Sequence, residues 1–136
     1  MTDRVNDWPF ALSALVARRL QTPFEWGSHD CCLWAADAVL ALTGVDYASA
    51  ERGAYTDAAT GMAVLTAAGG LLSVADRAGP RIGVAFAREG DIGLIAASAD
   101  SPAVLAVRIG TAWLAPAANG LHGLAEASIA WGIGHA

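Results

Sequence analysis

Two adjacent cysteines, Cys31 and Cys32, are the residues of this sequence best suited to covalent chemistry. Cys31 lies on the first turn of a helix predicted over residues 31–43, where apolar side chains recur at three- and four-residue steps. Asp30 precedes this helix as its predicted N-cap, and Gly44 follows it as its predicted C-cap. Because the positive end of a helix dipole favours a thiolate, Cys31 is a candidate nucleophile.

A packing role for the two cysteines is the competing interpretation, since buried cysteine behaves as a small hydrophobic residue. A disulfide between Cys31 and Cys32 would be strained, because the residues are adjacent. The sequence has no second Cys or His pair with zinc-ligand spacing. We therefore expect reduced thiols, no metal site and no cofactor.

The segment around Cys31 resembles the nucleophile segment of the NlpC/P60 cysteine peptidases, in which Asp-Cys-Ser-Gly opens the catalytic helix. Here Asp30 and Cys31 match, whereas Cys32 and Leu33 replace the serine and the glycine. Gly90-Asp91-Ile92 is similar to the Gly-Asp that opens the first core strand of that family. The resemblance implies a papain-like fold with Cys31 as nucleophile, and with the backbone N–H groups of residues 30–32 in an oxyanion hole.

The catalytic base is the part of the NlpC/P60 pattern that the sequence does not supply. A thiol protease needs a histidine beside the thiolate and a polar group to orient that histidine. In the family the histidine opens the second core strand, which falls near Leu105 here, and the orienting group falls near Ala115-Pro116. The alternative bases are His29, in the loop before the cysteines, and His122, in a predicted turn. His135 is close to the chain end, where order is usually poor.

The chain resembles more closely a set of small phage proteins that share the opening Phe-x-Trp-Gly-x-x-Asp-Cys-Cys, here Phe24 to Cys32. Arg52 to Tyr55, Gly69-Gly70 and the terminal Ala130 to Ile133 also match. Those proteins are associated with the tail modules of siphophages and gene-transfer agents. The resemblance implies a tail-tip or baseplate component of the virion, assembled in the bacterial cytoplasm, whose partners are other tail-tip or hub proteins.

The order of the predicted elements indicates an α+β fold, because helical patterns fill the first half and short β-rich runs fill the second. We predict N-terminal helices packed on a C-terminal antiparallel sheet, which the resemblance identifies as a papain-like NlpC/P60-type domain. The whole of 1–136 is one domain, with a helix in 1–21, the nucleophile-type helix and a helical region in 22–78, and a β-meander in 79–136.

Composition argues against two classes of partner. All eight basic residues are arginines scattered along the chain, and thirteen carboxylates give a net charge of −5, whereas nucleic-acid binding needs a clustered positive field. No apolar run approaches the length of a membrane span, and the first residues lack the layout of a secretory signal. We expect no nucleic acid, no membrane insertion and no signal peptide.

Aromatic residues surround the cysteines, and two roles are open to them. Trp26 and Trp34 flank Cys31, and the favoured role for such large apolar side chains is to anchor the core between helix and sheet. In the alternative role, Trp26, Trp34 and Tyr55 line a ligand groove.

Three functions remain open from the sequence. The first is a cysteine endopeptidase or amidase that cuts the peptide stems of peptidoglycan and uses His122 or His29 as its base. The second is a catalytically degenerate protein of the same fold, retained as a structural component of a tail tip. The third is an intracellular papain-like enzyme unrelated to phage. The vacant histidine position favours the second function.

Overall fold

The computed structural model of the protein describes residues 3–124 and 126–134. Within these residues the helices are α1 (Trp8–Arg19), α2 (Cys31–Thr43), α3 (Ala58–Ala67) and α4 (Leu71–Ala75). The strands are β1 (Arg81–Ile82), β2 (Ile92–Ile95), β3 (Val104–Ile109), β4 (Ala112–Ala117), β5 (Gly120–Leu124) and β6 (Ile129–Trp131), with a short 3-10 helix (Val84–Phe86) between β1 and β2. The prediction of an α+β fold with N-terminal helices and a C-terminal antiparallel sheet is confirmed.

The strands form one sheet in the order β1-β6-β2-β3-β4-β5, and each described pair is antiparallel. Strands β2 to β5 form a meander, but β6 returns to lie between β1 and β2. The prediction that His122 lies in a turn is wrong. The turn is at residues 118–119, and Gly120, with a positive φ of 121°, begins β5 and places His122 inside that strand.

Helix α2 is the central helix of the fold. Its N-cap Asp30 accepts a hydrogen bond from the Leu33 N–H, and its C-cap Gly44 adopts a left-handed φ of 78° and donates to the Leu40 carbonyl. Most of its residues are buried, which explains its nearly uniform apolar sequence. Among the described residues, no helix combines the length and the hydrophobicity needed to cross a bilayer.

The larger part of the core lies between α2 and one face of the sheet. Trp34 and Leu42 of α2 pack with Leu105, Val107 and Trp131 of the sheet, and these side chains are almost inaccessible to solvent. The alternate residues of the strands form a second cluster on the other face. That cluster contains Ala106, Trp113, Ala115 and Ala130, and side chains of the β1–β2 connection and of the segment before β6 pack against it.

A buried carboxylate, Asp91, connects the sheet to the first residues of the chain. Its Oδ1 lies 3.1 Å from a guanidinium nitrogen of Arg4 and accepts the N–H of Ile133 at 3.0 Å. Its Oδ2 accepts the N–H of Arg88 at 2.9 Å. Arg4 also donates to the carbonyls of Ile133 and Glu89, so this one ion pair holds both ends of the described chain against the start of β2.

We expect Asp91→Ala to lower the free energy of unfolding by about 3–5 kcal/mol, because breaking a buried ion pair leaves the other charge uncompensated. Chemical denaturation of the two proteins measures this loss. Asp100→Ala is the matched control, since Asp100 is exposed in the loop between β2 and β3 and its replacement should change stability little. Equal stabilities for Asp91→Ala and Asp100→Ala would show that the buried pair does not have this role.

Candidate functional site

The N-terminus of α2 is held in place by the side chain of Asp30, which is only 2% exposed. One carboxylate oxygen accepts the N–H of Leu33 at 2.9 Å, and the other accepts the N–H of Gly27 at 3.0 Å and the hydroxyl of Tyr55 at 2.5 Å. Burial, followed by this hydrogen bond, raises the pKa of Tyr55 far above its usual value, so the phenol remains a donor. Asp30 therefore acts as a structural cap that joins three segments of the chain.

The backbone at position 27 explains why the Trp-Gly-x-x-Asp-Cys segment has a glycine before the cap. Its φ is +82°, and a Cβ at this position would lie 2.0 Å from the backbone carbonyl oxygen of Tyr55. Only glycine permits this approach, which brings the Tyr55 segment beside the cap. The glycine and the aspartate of the motif therefore serve the same local structure.

The Cys31 thiol lies on the first turn of α2 and faces β3. Burial of the thiol raises its pKa to about 11, and the nearby Asp30 carboxylate raises it as well. The backbone N–H groups of Leu105, Cys32 and Cys31 itself act in the opposite direction, but they do not compensate for the lost hydration. The Cys31 side chain nevertheless keeps part of its surface exposed to solvent. The balance of these effects favours the neutral thiol, which is a poorer nucleophile than the thiolate.

Cys32 is more deeply buried than its neighbour, with 2% of its surface exposed. Burial raises the pKa of its thiol to about 12, and the neighbouring Cys31 raises it further. Both cysteines are free. Cys32 thus belongs to the core, and its contribution near Cys31 is its backbone N–H.

Leu105 occupies the strand position at which the NlpC/P60 resemblance places the catalytic histidine. Its backbone N–H faces the Cys31 sulfur, and its side chain is 0% exposed in the core between α2 and the sheet. The fold therefore brings this strand position to the thiol, but the side chain there cannot accept or release a proton. Ala115 and Pro116, at the predicted orienting position, are likewise buried and cannot titrate.

His29 is buried, with 2% of its surface exposed, and its ring packs edge-on against Trp34. Its Nδ1 lies 3.0 Å from a guanidinium nitrogen of Arg19. Because arginine can only donate, Nδ1 is the acceptor and the proton of the neutral ring is on Nε2. Nε2 is itself buried and has no hydrogen-bond partner among the described residues. Burial, and then the Arg19 charge, lower the pKa of His29.

His122 is not brought towards Cys31. It is exposed on β5 and lies directly opposite Ala115 of β4. Directly opposed residues share one face of a sheet, and Ala115 packs on the face away from the helices. His122 and Cys31 are consequently on opposite sides of the sheet. The remaining histidine, His135, lies outside the described residues.

Of the three aromatic groove candidates, Trp34 and Tyr55 are buried and Trp26 is exposed. Trp34 is 0% exposed in the core and donates its indole N–H to the Leu114 carbonyl at 2.9 Å, while Tyr55 is buried beneath the cap. Trp26 is 39% exposed and packs edge-on against Phe24. Five surface depressions of about 310 to 550 Å³ are formed by described residues, and Cys31 lines none of these five.

A buried ion network beside His29 was not predicted from the sequence. Asp37 of α2 is 8% exposed, with one oxygen 3.2 Å from Arg19 and the other 2.6 Å from Arg52. Arg52 also contacts Asp46 at 2.7 Å. The signal for this network is Asp37 itself, since a carboxylate inside an apolar helix has to be paired when it is buried. In the described part of the chain, no group of three or more His, Cys, Asp or Glu side chains is arranged to hold a metal ion.

The chain belongs to the family described as Domain of unknown function (DUF6950), whose model matches residues 3–133. No curated protein and no solved structure matches it. The description of this family names no activity, so the function has to be inferred from the geometry of the site.

The lowered pKa of His29 predicts an acid-sensitive contribution to stability. The unfolded chain takes up a proton at this histidine below about pH 6.5, whereas the folded chain resists protonation. The contribution is therefore complete above pH 6.5 and is lost as the pH falls towards the folded-state pKa. We expect the wild-type protein to lose stability between about pH 6.5 and 5 more steeply than His29→Gln, as measured by denaturation at each pH.

His122→Gln is the control for this experiment, because His122 is exposed and contacts neither Arg19 nor the buried network. Its stability should follow the wild-type pH dependence. Parallel curves for the wild type and His29→Gln would mean that His29 is not held neutral by burial and Arg19.

Proposed function

We propose that this member of the DUF6950 family is a structural component of a phage or phage-like tail tip or baseplate, with an NlpC/P60-like fold whose catalytic site is degenerate. One observation carries the proposal: the strand position that faces the Cys31 sulfur is Leu105, a buried side chain that cannot act as a base. A cysteine peptidase without a histidine partner has no group to take the thiol proton or to protonate the leaving amine.

The NlpC/P60-like part of the proposal is supported by how the helix and sheet meet. The residue of the nucleophile position, Cys31, opens the central helix, and that helix packs on the second strand of the meander. Gly90-Asp91 precedes the first strand of the meander, as in the resemblance. The α+β fold class, the position of Cys31 and the position of Leu105 are all consistent with an NlpC/P60-like fold that lacks the catalytic histidine.

The loss of catalysis is supported by the state of the thiol. Three backbone N–H groups and the helix N-terminus favour a thiolate at Cys31, yet burial outweighs them and leaves the pKa near 11. An active cysteine peptidase instead lowers the pKa of its thiol with a protonated histidine. The cysteine here is best interpreted as a small side chain that packs between α2 and β3.

The tail assignment rests on the resemblance to small phage proteins from Phe24 to Cys32 and at three later segments. The residues of that signature have structural roles in this chain: Gly27 and Asp30 form the cap, Tyr55 hydrogen bonds to it, and Arg52 pairs with Asp37. Motif residues that maintain the local fold, and do not form a catalytic site, are what we expect in a protein with a structural role. Its location would be the virion, and its partners would be tail-tip or hub proteins.

A peptidoglycan endopeptidase is the competing function, favoured by the backbone N–H groups that converge on Cys31. Against it, Nδ1 of His29 is already bonded to Arg19, and His122 lies across the sheet. Either histidine would have to be displaced from its position in this structure before it could serve Cys31. The structural function requires no such change.

We expect Cys31→Ser to leave particle assembly and infectivity unchanged in a phage or transfer agent that encodes this chain, whereas deletion of the chain blocks assembly. Serine keeps the size of the side chain and removes only the thiol, so the comparison separates chemistry from architecture. Particle counts and infectious titres measure both effects. Asp91→Ala, which destabilises the fold, is expected to block particle assembly as the deletion does.

Normal, infectious particles after a clean deletion would end the structural proposal. If Cys31→Ser gave intact particles that were not infectious, this result would instead favour the endopeptidase function.

A further inference from the structure

The connection between α1 and α2, residues 20–29, crosses the surface of the molecule with few buried side chains. Within it only Gly27 and His29 are buried. Leu20 is 50% exposed and Trp26 is 39% exposed, so the connection buries little apolar surface. Segments with few buried apolar contacts open at a lower free-energy cost than the core of a protein. This connection is therefore able to open while α2 and the sheet remain folded.

Two backbone hydrogen bonds join the α1–α2 connection to the hairpin of β4 and β5. The Phe24 N–H donates to the Ala117 carbonyl at 2.9 Å, and the Leu121 N–H donates to the Leu20 carbonyl at 3.0 Å. Both bonds are lost when the connection moves away from the hairpin. The amide protons of Phe24 and Leu121 consequently report whether the connection is in place.

The side chain of His29 anchors the connection to both helices from beneath. Its Nδ1 accepts a hydrogen bond from Arg19 of α1 at 3.0 Å, and its ring packs edge-on against Trp34 of α2. Only 2% of the residue is exposed, and Nε2 has no hydrogen-bond partner among the described residues. The contact with Arg19 requires an unprotonated Nδ1, because a guanidinium can only donate.

Charged groups face His29 from each of the elements that pack against it. The Arg19 cation opposes protonation of the ring, whereas the carboxylates of Asp37, Asp30 and Glu25 favour it. The Asp37 carboxylate is already paired with two arginines, which reduces its attraction for a further cation. Burial, and then the Arg19 charge, are the larger effects, so the folded protein holds the pKa of His29 below its usual value.

We propose that protonation of His29 releases the α1–α2 connection from α2 and from the β4–β5 hairpin while the core stays folded. A protonated Nδ1 presents a hydrogen to the Arg19 guanidinium, so two donors and two like charges face each other. Water solvates the enclosed imidazolium only when the connection moves away. The connection is therefore a conformational switch that opens on acidification. This inference does not depend on the tail-tip function.

Site-resolved amide hydrogen exchange of the whole chain, measured by NMR between about pH 7 and about pH 5, tests the proposal. The Phe24 and Leu121 amides report opening of the connection, and the Arg108 amide, in the pairing of β2 and β3, reports on the core. Relative to His29→Gln at the same pH, opening in the wild type should increase up to about tenfold for each pH unit below about 6.5, until the folded-state pKa is reached.

The comparison at equal pH removes the change in the intrinsic exchange rate. His29→Gln keeps an acceptor for Arg19 but does not titrate, so its connection should stay closed over the whole pH range. His122→Gln is the matched control, because His122 is exposed on β5 and its replacement should leave the wild-type behaviour intact. A measurement on the wild type alone is also available: opening at Phe24 should increase over the pH range in which the His29 ring protons titrate.

Three outcomes would overturn the proposal. The Phe24 and Leu121 amides of the wild type could keep their protection at low pH, or His29→Gln could open in parallel with the wild type. In the third outcome the Arg108 amide loses protection to the same extent as the other two, which would show that acid unfolds the molecule as a whole and does not open the connection alone.

Discussion

The carboxylate of Asp30 is the interaction on which the rest of this site depends. By accepting hydrogen bonds from Gly27, Leu33 and Tyr55, it fixes where α2 begins and joins the preceding loop to the Tyr55 segment. The start of α2 determines where Cys31 lies against β3. The left-handed Gly27 and the close approach of Gly61 to Tyr55 extend the same local structure to α3. One capped helix terminus thus positions the thiol and helix α3.

Two opposing effects act on the Cys31 thiol, and their balance decides what the site can do. The helix N-terminus and three backbone N–H groups stabilise a thiolate, while burial between α2 and the sheet removes the water that would stabilise it more. Burial is the larger effect. In a peptidase the missing stabilisation comes from an imidazolium, and Leu105 occupies the place from which it would act. Under the proposed function, the chain retains the position of a nucleophile without its chemistry.

Local patterns made much of the fold predictable. The apolar spacing, Asp30 and Gly44 indicated the bounds of α2, and the order of a helical half followed by a β-rich half indicated the α+β class. Strand β5 was missed because Asn119-Gly120 signals a turn, and the sequence did not show that the strand begins at the glycine itself. The sheet order could not be predicted, since the return of β6 beside β2 depends on long-range pairing.

Within the site, the NlpC/P60 resemblance pointed to the strand position of Leu105 as the one facing Cys31, whereas nothing in the sequence indicated the partners of His29. A histidine close to a cysteine in sequence suggests a catalytic pair, but only the packing of α1 against α2 reveals that Arg19 occupies its Nδ1. His122 illustrates the same limit, because the face of a strand residue depends on register. Local sequence specifies which groups are present, and tertiary packing decides which of them meet.

The most direct measurement of the central claim is the pH dependence of Cys31 alkylation in the folded protein, followed by mass spectrometry of the cysteine-containing peptide. Cys32→Ser serves as the background, so that one thiol is observed. We expect labelling to be slow at pH 7 and to rise with pH along a curve set by a pKa of about 11. Rapid, pH-independent labelling down to about pH 6, well below the pKa of a free thiol, would show a thiolate held by a charge partner and would contradict the account.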